Sequence, residues 1–335
     1  MKAMCISHPP SVDNLGLKDV EERVAGPGEI KVRLKAASLN FRDGLVVNGF
    51  FLTADGVIPL SDGAGEVVEV GDGVADFRVG DSVVSTFHPN WLDGHIDRVE
   101  LTNSPGGPAD GFACEFATRP ATHFTRAPAN LSAIESATLT CAGVTAWRAV
   151  VTDGKVMPGA TVVTIGTGGV SLFALQFAKA AGARVIALSS SQEKLDGLDR
   201  LGADHLINYR ETENWGQAVL DLTGGLGADH IIEVGGPNTM GQSTIAARTG
   251  GHIAIIGAVA GFDIDTMPFA IVQAKRLRLQ AVTVGSRRDQ IEMVQAIEQN
   301  GINPVIDKVF PLESLAEAFT YQQAGNLFGK ICIEI

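Results

Sequence analysis

A glycine-rich turn near the middle of the chain is the feature with the clearest chemistry. The turn consists of Gly166, Thr167, Gly168, Gly169, Val170 and Ser171. A strand is predicted before it at residues 161–165, and a helix with an apolar stripe after it at residues 170–181. Gly166 permits a tight turn, and Gly168 lets the backbone approach a pyrophosphate that the helix N-terminus would stabilise. The context predicts a dinucleotide site; the alternative is an unliganded scaffold with the same turn.

The end of the next predicted strand, residues 184–189, indicates which dinucleotide fits. An NAD site usually carries an acidic residue there for the adenosine ribose, but this strand ends in hydroxyl residues. The residues expected around a 2′-phosphate are Ser189, Ser190, Ser191, Lys194 and Tyr209. Hydroxyls donate hydrogen bonds to phosphate and a lysine adds positive charge, so NADPH is predicted in preference to NADH. In the alternative, the serines only cap the following helix and the lysine is solvated.

Composition limits the class of protein. The chain has 335 residues, of which 45% are hydrophobic and 19% charged, which is typical of a globular enzyme. A formal net charge of −12 argues against general binding to nucleic acid or to anionic membranes. The four cysteines form no CxxC pair, and no run of about 18 uncharged apolar residues occurs. We therefore expect a cytoplasmic enzyme that acts on a small molecule and binds neither nucleic acid nor a membrane.

The pattern of apolar residues divides the chain into two parts. Residues 1–125 contain short alternating runs separated by Gly and Pro turns, which predicts a β-rich, barrel-like unit. From residue 160, apolar runs alternate with helical segments, which predicts an α/β fold with a doubly wound parallel sheet. The strands predicted for this sheet are 161–165, 184–189, 205–209, 230–234, 252–256 and 277–284. A final strand at residues 330–335 indicates that the chain returns to its first part.

Several motifs along the whole chain together resemble one known family. They are residues 38–43 (SLNFRD), 58–65 (IPLSDGAG), 79–83 (VGDSV), 140–147 (TCAGVTAW), the glycine turn and 329–331 (GKI). In this combination the chain resembles the medium-chain dehydrogenase/reductase superfamily, and within it the zinc-free quinone oxidoreductase branch, particularly bacterial alcohol-dehydrogenase-like members. The resemblance implies a GroES-like catalytic domain at residues 1–127 and 288–335 and a Rossmann dinucleotide-binding domain at residues 128–287. It further implies a cofactor between the domains and a homodimer formed through the last Rossmann strand.

The resemblance also identifies the positions at which zinc-dependent alcohol dehydrogenases hold their catalytic metal. Those enzymes use Cys, His and Cys beside a Glu, and the matching residues here are Asn40, Ser61, Cys141 and Asp62. Asn and Ser are poor zinc ligands, and a single thiolate cannot form a site alone. The resemblance therefore implies that the catalytic zinc is lost.

The loop at residues 90–113 corresponds to the structural-zinc lobe of those relatives. That lobe needs four closely spaced cysteines, and this loop contains none. Other residues near the loop could in principle bind a metal: His88, Asp93, His95 and Asp97. We interpret them as polar loop surface and predict no metal site in the protein.

The predicted loss of zinc bears on the reaction. Without a metal to lower the pKa of a hydroxyl, oxidation of a simple alcohol is difficult. Hydride transfer to an electrophilic acceptor needs only orientation and hydrogen bonding to the oxygen that gains charge. We therefore predict NADPH-dependent reduction of a quinone or an α,β-unsaturated carbonyl. The alternatives are an alcohol or aldehyde dehydrogenase of the same superfamily and an NADPH-binding structural protein with little turnover.

The resembling motifs supply the remaining site predictions. The candidate catalytic residues are Asn40, Arg42, Asp43 and Thr145. Asn40 is preferred as a hydrogen-bond donor, although asparagine after a strand is often only a turn residue. Arg42 and Asp43 could equally form an ion pair with each other. Further cofactor contacts are expected at later strand ends and in the returning segment, at Gly235, Gly257, Val284, Gly285, Ser286, Asn326 and Lys330.

Overall fold

The structure is a computed structural model that describes residues 1–94, 103–259, 261 and 268–335. The chain folds into two compact units. The first consists of Met1–Val144 and Val284–Ile335, and the second of Thr145–Thr283. The sequence places the domain boundaries at 127/128 and 287/288. The predicted and observed boundaries differ more at the first one, where the chain passes from one unit to the other inside a helical stretch rather than at a turn.

The regular elements show short strands first and then alternating strands and helices. The strands are β1 (Lys2–Ile6), β2 (Leu15–Asp19), β3 (Glu29–Ser38), β4 (Asp62–Val70), β5 (Ser82–Ser85), β6 (Phe116–Pro120), β7 (Phe124–Arg126), β8 (Thr161–Ile165), β9 (Arg184–Ser189), β10 (His205–Asn208), β11 (Ala228–Glu233), β12 (Ala247–Ile255), β13 (Arg278–Ala281), β14 (Ile306–Pro311) and β15 (Lys330–Glu334). The α-helices are α1 (Phe41–Val47), α2 (Ala133–Ala137), α3 (Val144–Trp147), α4 (Gly169–Ala180), α5 (Gln192–Arg200), α6 (Trp215–Leu222), α7 (Pro237–Ala246), α8 (Phe269–Ala274), α9 (Arg287–Asn300) and α10 (Leu315–Gln323). Two π-helical turns, Leu139–Gly143 and Arg148–Thr152, flank α3. Among the residues described, none of the helices combines the length and apolarity needed to span a membrane.

The main sheet of the first unit brings the end of the chain next to its beginning. Its strand order is β14-β15-β3-β4-β5-β7, and β6 also pairs with β3. β15 runs antiparallel to β3 with Cys332 opposite Ser38, and the Leu39 N–H donates to the Ile331 carbonyl at 3.0 Å. Apolar side chains of β3 pack into the core of this unit and fix the inner face of the strand. This pairing places Lys330 beside the residues that follow β3.

The second unit contains a six-stranded sheet in the order β10-β9-β8-β11-β12-β13. Its neighbouring strands pair in parallel, and β8 is buried along its whole length, as expected for a strand covered on both faces. The order is that of a doubly wound dinucleotide-binding sheet, with its switch point between β8 and β11. The α/β fold class predicted from the sequence is confirmed.

The last strand of this sheet is shorter than the sequence predicts. The prediction is residues 277–284, whereas β13 pairs with β12 only over Arg278–Ala281. Val284 adopts φ 54°, a left-handed conformation that is unusual for a β-branched residue. Strand pairing therefore ends at Ala281, and the backbone is left-handed at the predicted last residue of the strand.

Candidate active site

The glycine turn connects β8 to α4. Gly166 has φ 77°, in the left-handed region that glycine tolerates, and Gly168 is the extended residue that precedes α4. A Cβ atom on either glycine would meet no atom within 4 Å, so both glycines face open space. The first turn of α4 also leaves N–H groups without intrahelical partners. The turn therefore fits the pyrophosphate of a dinucleotide.

One further residue of the turn, Ser171, holds it against the strand. Ser171 is buried, and its hydroxyl donates to the Ile165 carbonyl at 2.7 Å. Thr167 is also buried, whereas Gly169 and Val170 are partly exposed. Ser171 takes the third small position of the dinucleotide fingerprint, where its hydroxyl ties the first turn of α4 to the end of β8.

The residues predicted to surround a 2′-phosphate lie at the ends of two adjacent strands. Ser189 ends β9, and its carbonyl accepts the Tyr209 N–H at 3.0 Å. Ser190 and Ser191 follow in the connection to α5, and Lys194 lies in the first turn of that helix. The Ser191 side chain makes no cap hydrogen bond to α5, so helix capping does not account for it. Hydroxyls rather than a carboxylate therefore follow this strand.

A buried carboxylate at the end of β11 was not expected from the sequence. The Glu233 carboxylate accepts the N–H groups of Gly235 at 2.8 Å and Gly236 at 3.1 Å, and the hydroxyls of Thr239 and Ser243. It thereby neutralises the N-terminus of α7, where the helix dipole favours an anion. Gly235, predicted to contact the cofactor, has its N–H engaged in this way. The signal in the sequence is an acid followed by hydroxyl residues 6 and 10 positions later.

The other predicted cofactor contacts near strand ends also have structural explanations. A Cβ on Gly257 would lie 2.7 Å from a backbone oxygen of the chain leaving β11. The segment after β12 therefore requires glycine at this position. The Ser286 hydroxyl accepts the Asp289 N–H at 3.1 Å and donates to its carboxylate at 2.6 Å, capping α9. Val284, next to Gly285, is buried in a conformation that stores roughly 1–3 kcal/mol of strain. A role of these residues at the cofactor stays a prediction.

In the first unit, four buried side chains form a chain of hydrogen bonds. The Lys330 ammonium donates to the Leu39 carbonyl and to Asn40 Oδ1, both at 2.5 Å. Asn40 Nδ2 donates to Ser61 Oγ at 3.3 Å, and Ser61 Oγ donates to Asp62 Oδ1 at 2.7 Å. None of the four side chains belongs to a residue more than 8% exposed. An amide and a hydroxyl thus connect a buried cation to a buried carboxylate.

The second oxygen of Asp62 extends this cluster. Asp62 Oδ2 accepts the Ser38 hydroxyl at 3.1 Å and the Cys141 N–H at 3.3 Å. Desolvation of the sulfur, reinforced by the charge of Asp62, raises the pKa of the Cys141 thiol above its usual value. The cluster therefore presents a neutral thiol beside its amide and hydroxyl groups.

The returning C-terminal segment contributes Lys330 to this cluster. The sequence predicts both Asn326 and Lys330 as cofactor contacts. Asn326 is exposed in the turn before β15, whereas Lys330 is 4% exposed and bonded to Asn40. The contact was missed because 290 positions separate the two residues and no local pattern links them.

Arg42 and Asp43 form the ion pair that is the alternative to a catalytic role. The Arg42 guanidinium lies 3.1 Å from the Asp43 carboxylate, and it also donates to the Pro105 carbonyl at 2.8 Å and the Ser104 hydroxyl at 3.2 Å. The fully buried Asp43 carboxylate accepts the Asn40 N–H at 2.8 Å. Burial raises the pKa of Asp43 above its ordinary value, and the guanidinium opposes that shift. The pair fixes the start of α1, and with it Asn40, to the loop that contains Ser104.

A left-handed residue positions Ser61. Leu60 is fully buried and has φ 72°, and its carbonyl accepts the Phe112 N–H at 2.9 Å. A Cβ on Gly111 would lie 2.1 Å from the Leu60 oxygen, and one on Gly106 would lie 2.5 Å from its carbonyl carbon. Glycines therefore let the neighbouring loop pack closely against Leu60. The left-handed backbone of Leu60 in turn determines the direction in which the chain continues to Ser61.

Thr145, the remaining candidate, belongs to the second unit. Its side chain is buried, and it follows the π-helical turn Leu139–Gly143, which contains Cys141. π-Helical turns occur often at functional sites. The role of Thr145 stays a prediction.

No group of three or more His, Cys, Asp or Glu side chains within 1–94, 103–259, 261 and 268–335 could hold a metal ion. Of the polar residues near the loop at 90–113, His88 and Asp93 are described, and His88 is buried. His95 and Asp97 lie outside the described residues.

Both halves of the chain match known families. The alcohol dehydrogenase GroES-like domain matches residues 26–129, and the zinc-binding dehydrogenase family matches residues 169–299. A zinc-type alcohol dehydrogenase-like protein of Schizosaccharomyces pombe is 43% identical over 317 residues, which cover 92% of this chain and 91% of that protein. The chain belongs to the medium-chain dehydrogenase/reductase superfamily. The superfamily predicted from the sequence is thereby confirmed.

Solved structures place the same superfamily fold over the whole chain. A candidate alcohol dehydrogenase from Sinorhizobium meliloti superimposes with a TM-score of 0.93 at 41% identity, covering 99% of this chain and 98% of that chain. An NAD-dependent alcohol dehydrogenase gives a TM-score of 0.91 at 33% identity, with 100% of both chains covered. This medium-chain dehydrogenase/reductase is thus an alcohol-dehydrogenase-like oxidoreductase that uses a nicotinamide dinucleotide.

The contact between Gly111 and Leu60 generates a stability prediction. Gly111→Ala should lower the free energy of unfolding by about 1–3 kcal/mol, because the new methyl group overlaps the Leu60 carbonyl oxygen. Thermal unfolding measures the change. Gly16→Ala is the control in the same unit, since a Cβ there meets nothing within 4 Å. Equal melting temperatures for the two variants would show that the loop does not press on Leu60.

Proposed function

We propose that this oxidoreductase is an NADPH-dependent, metal-free reductase of quinones or α,β-unsaturated carbonyls. The observation that carries the proposal is the buried cluster in which an amide and a hydroxyl lie between the Lys330 ammonium and the Asp62 carboxylate. Such a cluster offers hydrogen-bond donors to an oxygen that gains negative charge. It offers no Lewis acid of its own.

The donor set of the cluster does not fit the zinc ion of the zinc-dependent relatives. Zinc prefers thiolate, imidazole and carboxylate ligands, and a catalytic zinc takes three of them from the protein. Only Asp62 and Cys141 of this cluster are of those types, whereas Asn40 and Ser61 are neutral amide and hydroxyl groups. Asn40 Oδ1, the better ligand atom of the two, already accepts the Lys330 ammonium at 2.5 Å. A dication bound there would also face that ammonium, and like charges at short range repel strongly where solvent is excluded.

The hydroxyls at the end of β9 support the choice of NADPH. Ser190 and Ser191 follow the buried Ser189 in the connection to α5, and Lys194 can add positive charge from the first turn of that helix. An acidic side chain at this strand end would repel a 2′-phosphate, and residues 189–192 contain none, the first acid being Glu193 in the first turn of α5.

The proposed reaction requires the cluster only to donate a hydrogen bond to the substrate oxygen. When bound, NADPH would supply a hydride with its two electrons, and in an enone the β-carbon would receive it. We assign Asn40 the task of donating an N–H to the carbonyl oxygen, where negative charge grows. A proton from water then completes the saturated product. A donor of this kind contributes a factor of about 10²–10³ in rate.

An alcohol dehydrogenase is the second candidate function, because the similar proteins are described as alcohol dehydrogenases or zinc-type alcohol dehydrogenase-like proteins. That reaction would require a metal arrangement other than the one in the zinc-dependent relatives. Metal content and alcohol oxidation therefore distinguish the two candidates.

We also propose that the protein is a cytoplasmic homodimer. Among the strands of the described residues, β13 is the terminal one of its sheet, so its outer edge can pair with a second copy. The cysteines at positions 5, 114, 141 and 332 are all free thiols, which is typical of a reducing compartment.

The proposed reaction is tested with a panel of acceptors. Purified protein should oxidise NADPH in the presence of quinones and enones, and treatment with a chelator should leave the rate unchanged. The rate is measured from the loss of the absorbance band that NADPH has and its oxidised form lacks. If no acceptor is reduced, while zinc-loaded protein oxidises simple alcohols, the alcohol dehydrogenase is the correct function.

The proposed cofactor pocket is tested at Ser190. Ser190→Asp should reduce the preference for NADPH over NADH roughly tenfold or more, since it replaces a hydrogen-bond donor with a like charge beside the 2′-phosphate. The ratio of kcat/KM for the two cofactors measures the preference. Ser190→Asn is the matched control, because asparagine has nearly the same shape as aspartate but carries no charge. An unchanged ratio in Ser190→Asp would place the 2′-phosphate elsewhere.

A further inference from the structure

Within the described residues, the Lys330 ammonium is buried with no carboxylate as its direct partner. Lys330 is 4% exposed, and its two hydrogen bonds go to carbonyl oxygens, one of the Leu39 backbone and one of the Asn40 side chain. Removing a charge from water is costly, and neutral acceptors offset that cost only in part. The cost points to a task for the charge.

The charge determines how the Asn40 amide is oriented. An ammonium nitrogen can only donate hydrogen bonds, so the Asn40 atom 2.5 Å from it must be the oxygen. The amide nitrogen is then the atom that faces Ser61, at 3.3 Å from its hydroxyl. A serine hydroxyl would accept either orientation, because it both donates and accepts. Among the hydrogen bonds that the described residues make to the Asn40 side chain, the one from Lys330 is therefore the one that decides between the two orientations.

In this orientation, Ser61 engages only one of the two N–H groups of the Asn40 amide. Within the part of the chain that the structure describes, Asn40 Nδ2 makes one hydrogen bond, to Ser61. An amide nitrogen carries two hydrogens, and Asn40 is 8% exposed rather than sealed. A cation on the amide oxygen also polarises the group and strengthens its N–H as a donor.

We propose that Lys330 is a positioning residue for the reaction, which holds the Asn40 amide so that its second N–H points to the substrate oxygen. The inference rests on the proposed function, in which Asn40 donates to that oxygen. Lys330 acts through Asn40 and not by contact with the cofactor. The sequence-based expectation that Lys330 contacts the cofactor is the competing explanation.

The kinetic test compares three variants. Lys330→Met removes the charge and leaves an apolar chain of similar length, and Lys330→Arg keeps a charged donor. Lys31→Met is the matched control, because Lys31 is a second buried lysine of the same unit, 8% exposed and paired with Glu22. For reduction of cyclohexenone with NADPH, Lys330→Met should lower kcat about 10²-fold, the effect of losing one oriented donor. Lys330→Arg should retain most of kcat, and Lys31→Met should match the unmodified protein.

The affinity for NADPH separates positioning from cofactor contact. In Lys330→Met the dissociation constant of NADPH, measured by its fluorescence, should stay within about threefold of the unmodified value, well below the tenfold that 1.4 kcal/mol would give. A large rise in that constant with unchanged kcat would show that Lys330 binds the cofactor, and the proposal would be overturned. A double variant supplies a further check: adding Lys330→Met to Asn40→Ala should cause little additional loss, since the lysine acts through the asparagine.

A spectroscopic readout decides the matter even if the protein reduces neither enones nor quinones. In protein labelled with 15N at asparagine, the side-chain N–H signals of Asn40, assigned from their loss in Asn40→Ala, should shift or double in Lys330→Met. They should stay in place in Lys31→Met and nearly so in Lys330→Arg. Thermal unfolding confirms that each variant is folded; if Lys330→Met is not, Lys330→Leu, which also removes the donor, replaces it. Unchanged Asn40 signals in a folded variant would overturn the proposal, whereas shifted signals with no enone or quinone turnover would remove only the proposed function.

Discussion

The hydrogen bond between Lys330 and Asn40 is the contact on which the polar cluster depends. It joins the last strand of the chain to the residue that follows β3, and antiparallel pairing of β15 with β3 brings the two residues together. The ammonium orients the amide, the amide meets Ser61, and Ser61 meets Asp62. Because every member of the chain is buried, a change in one alters the partners available to the next.

Two helices of the second unit, α7 and α4, differ in the negative group that can neutralise their N-termini. The N-terminus of α7 is neutralised by the chain's own carboxylate, Glu233, through two N–H groups and two hydroxyls. Among the described residues, no side-chain hydrogen bond caps the N-terminus of α4, which begins after glycines that face open space. We expect a dinucleotide pyrophosphate to supply at α4 the negative charge that Glu233 supplies at α7. This contrast supports the proposed cofactor site at the end of β8.

Local features of the protein were predictable and distant contacts were not. The glycine turn and the parallel sheet follow from patterns within a few residues, namely apolar strands, a turn and a helix. The pair Arg42 and Asp43 was also within reach, because the two residues are adjacent. Lys330 and Asn40 are 290 positions apart, and their contact follows only from the order of strands in the sheet. The left-handed Leu60 is likewise invisible locally, since leucine gives no sign of a positive φ.

The most direct test of the account follows a deuterium atom. Chelator-treated protein is given an enone and NADPH deuterated at the transferable position, and the product is analysed by nuclear magnetic resonance. The account predicts one deuterium on the β-carbon of the saturated product, in the same yield with or without chelator treatment. Deuterium on the carbonyl carbon, or transfer that appears only after zinc is added, would contradict it.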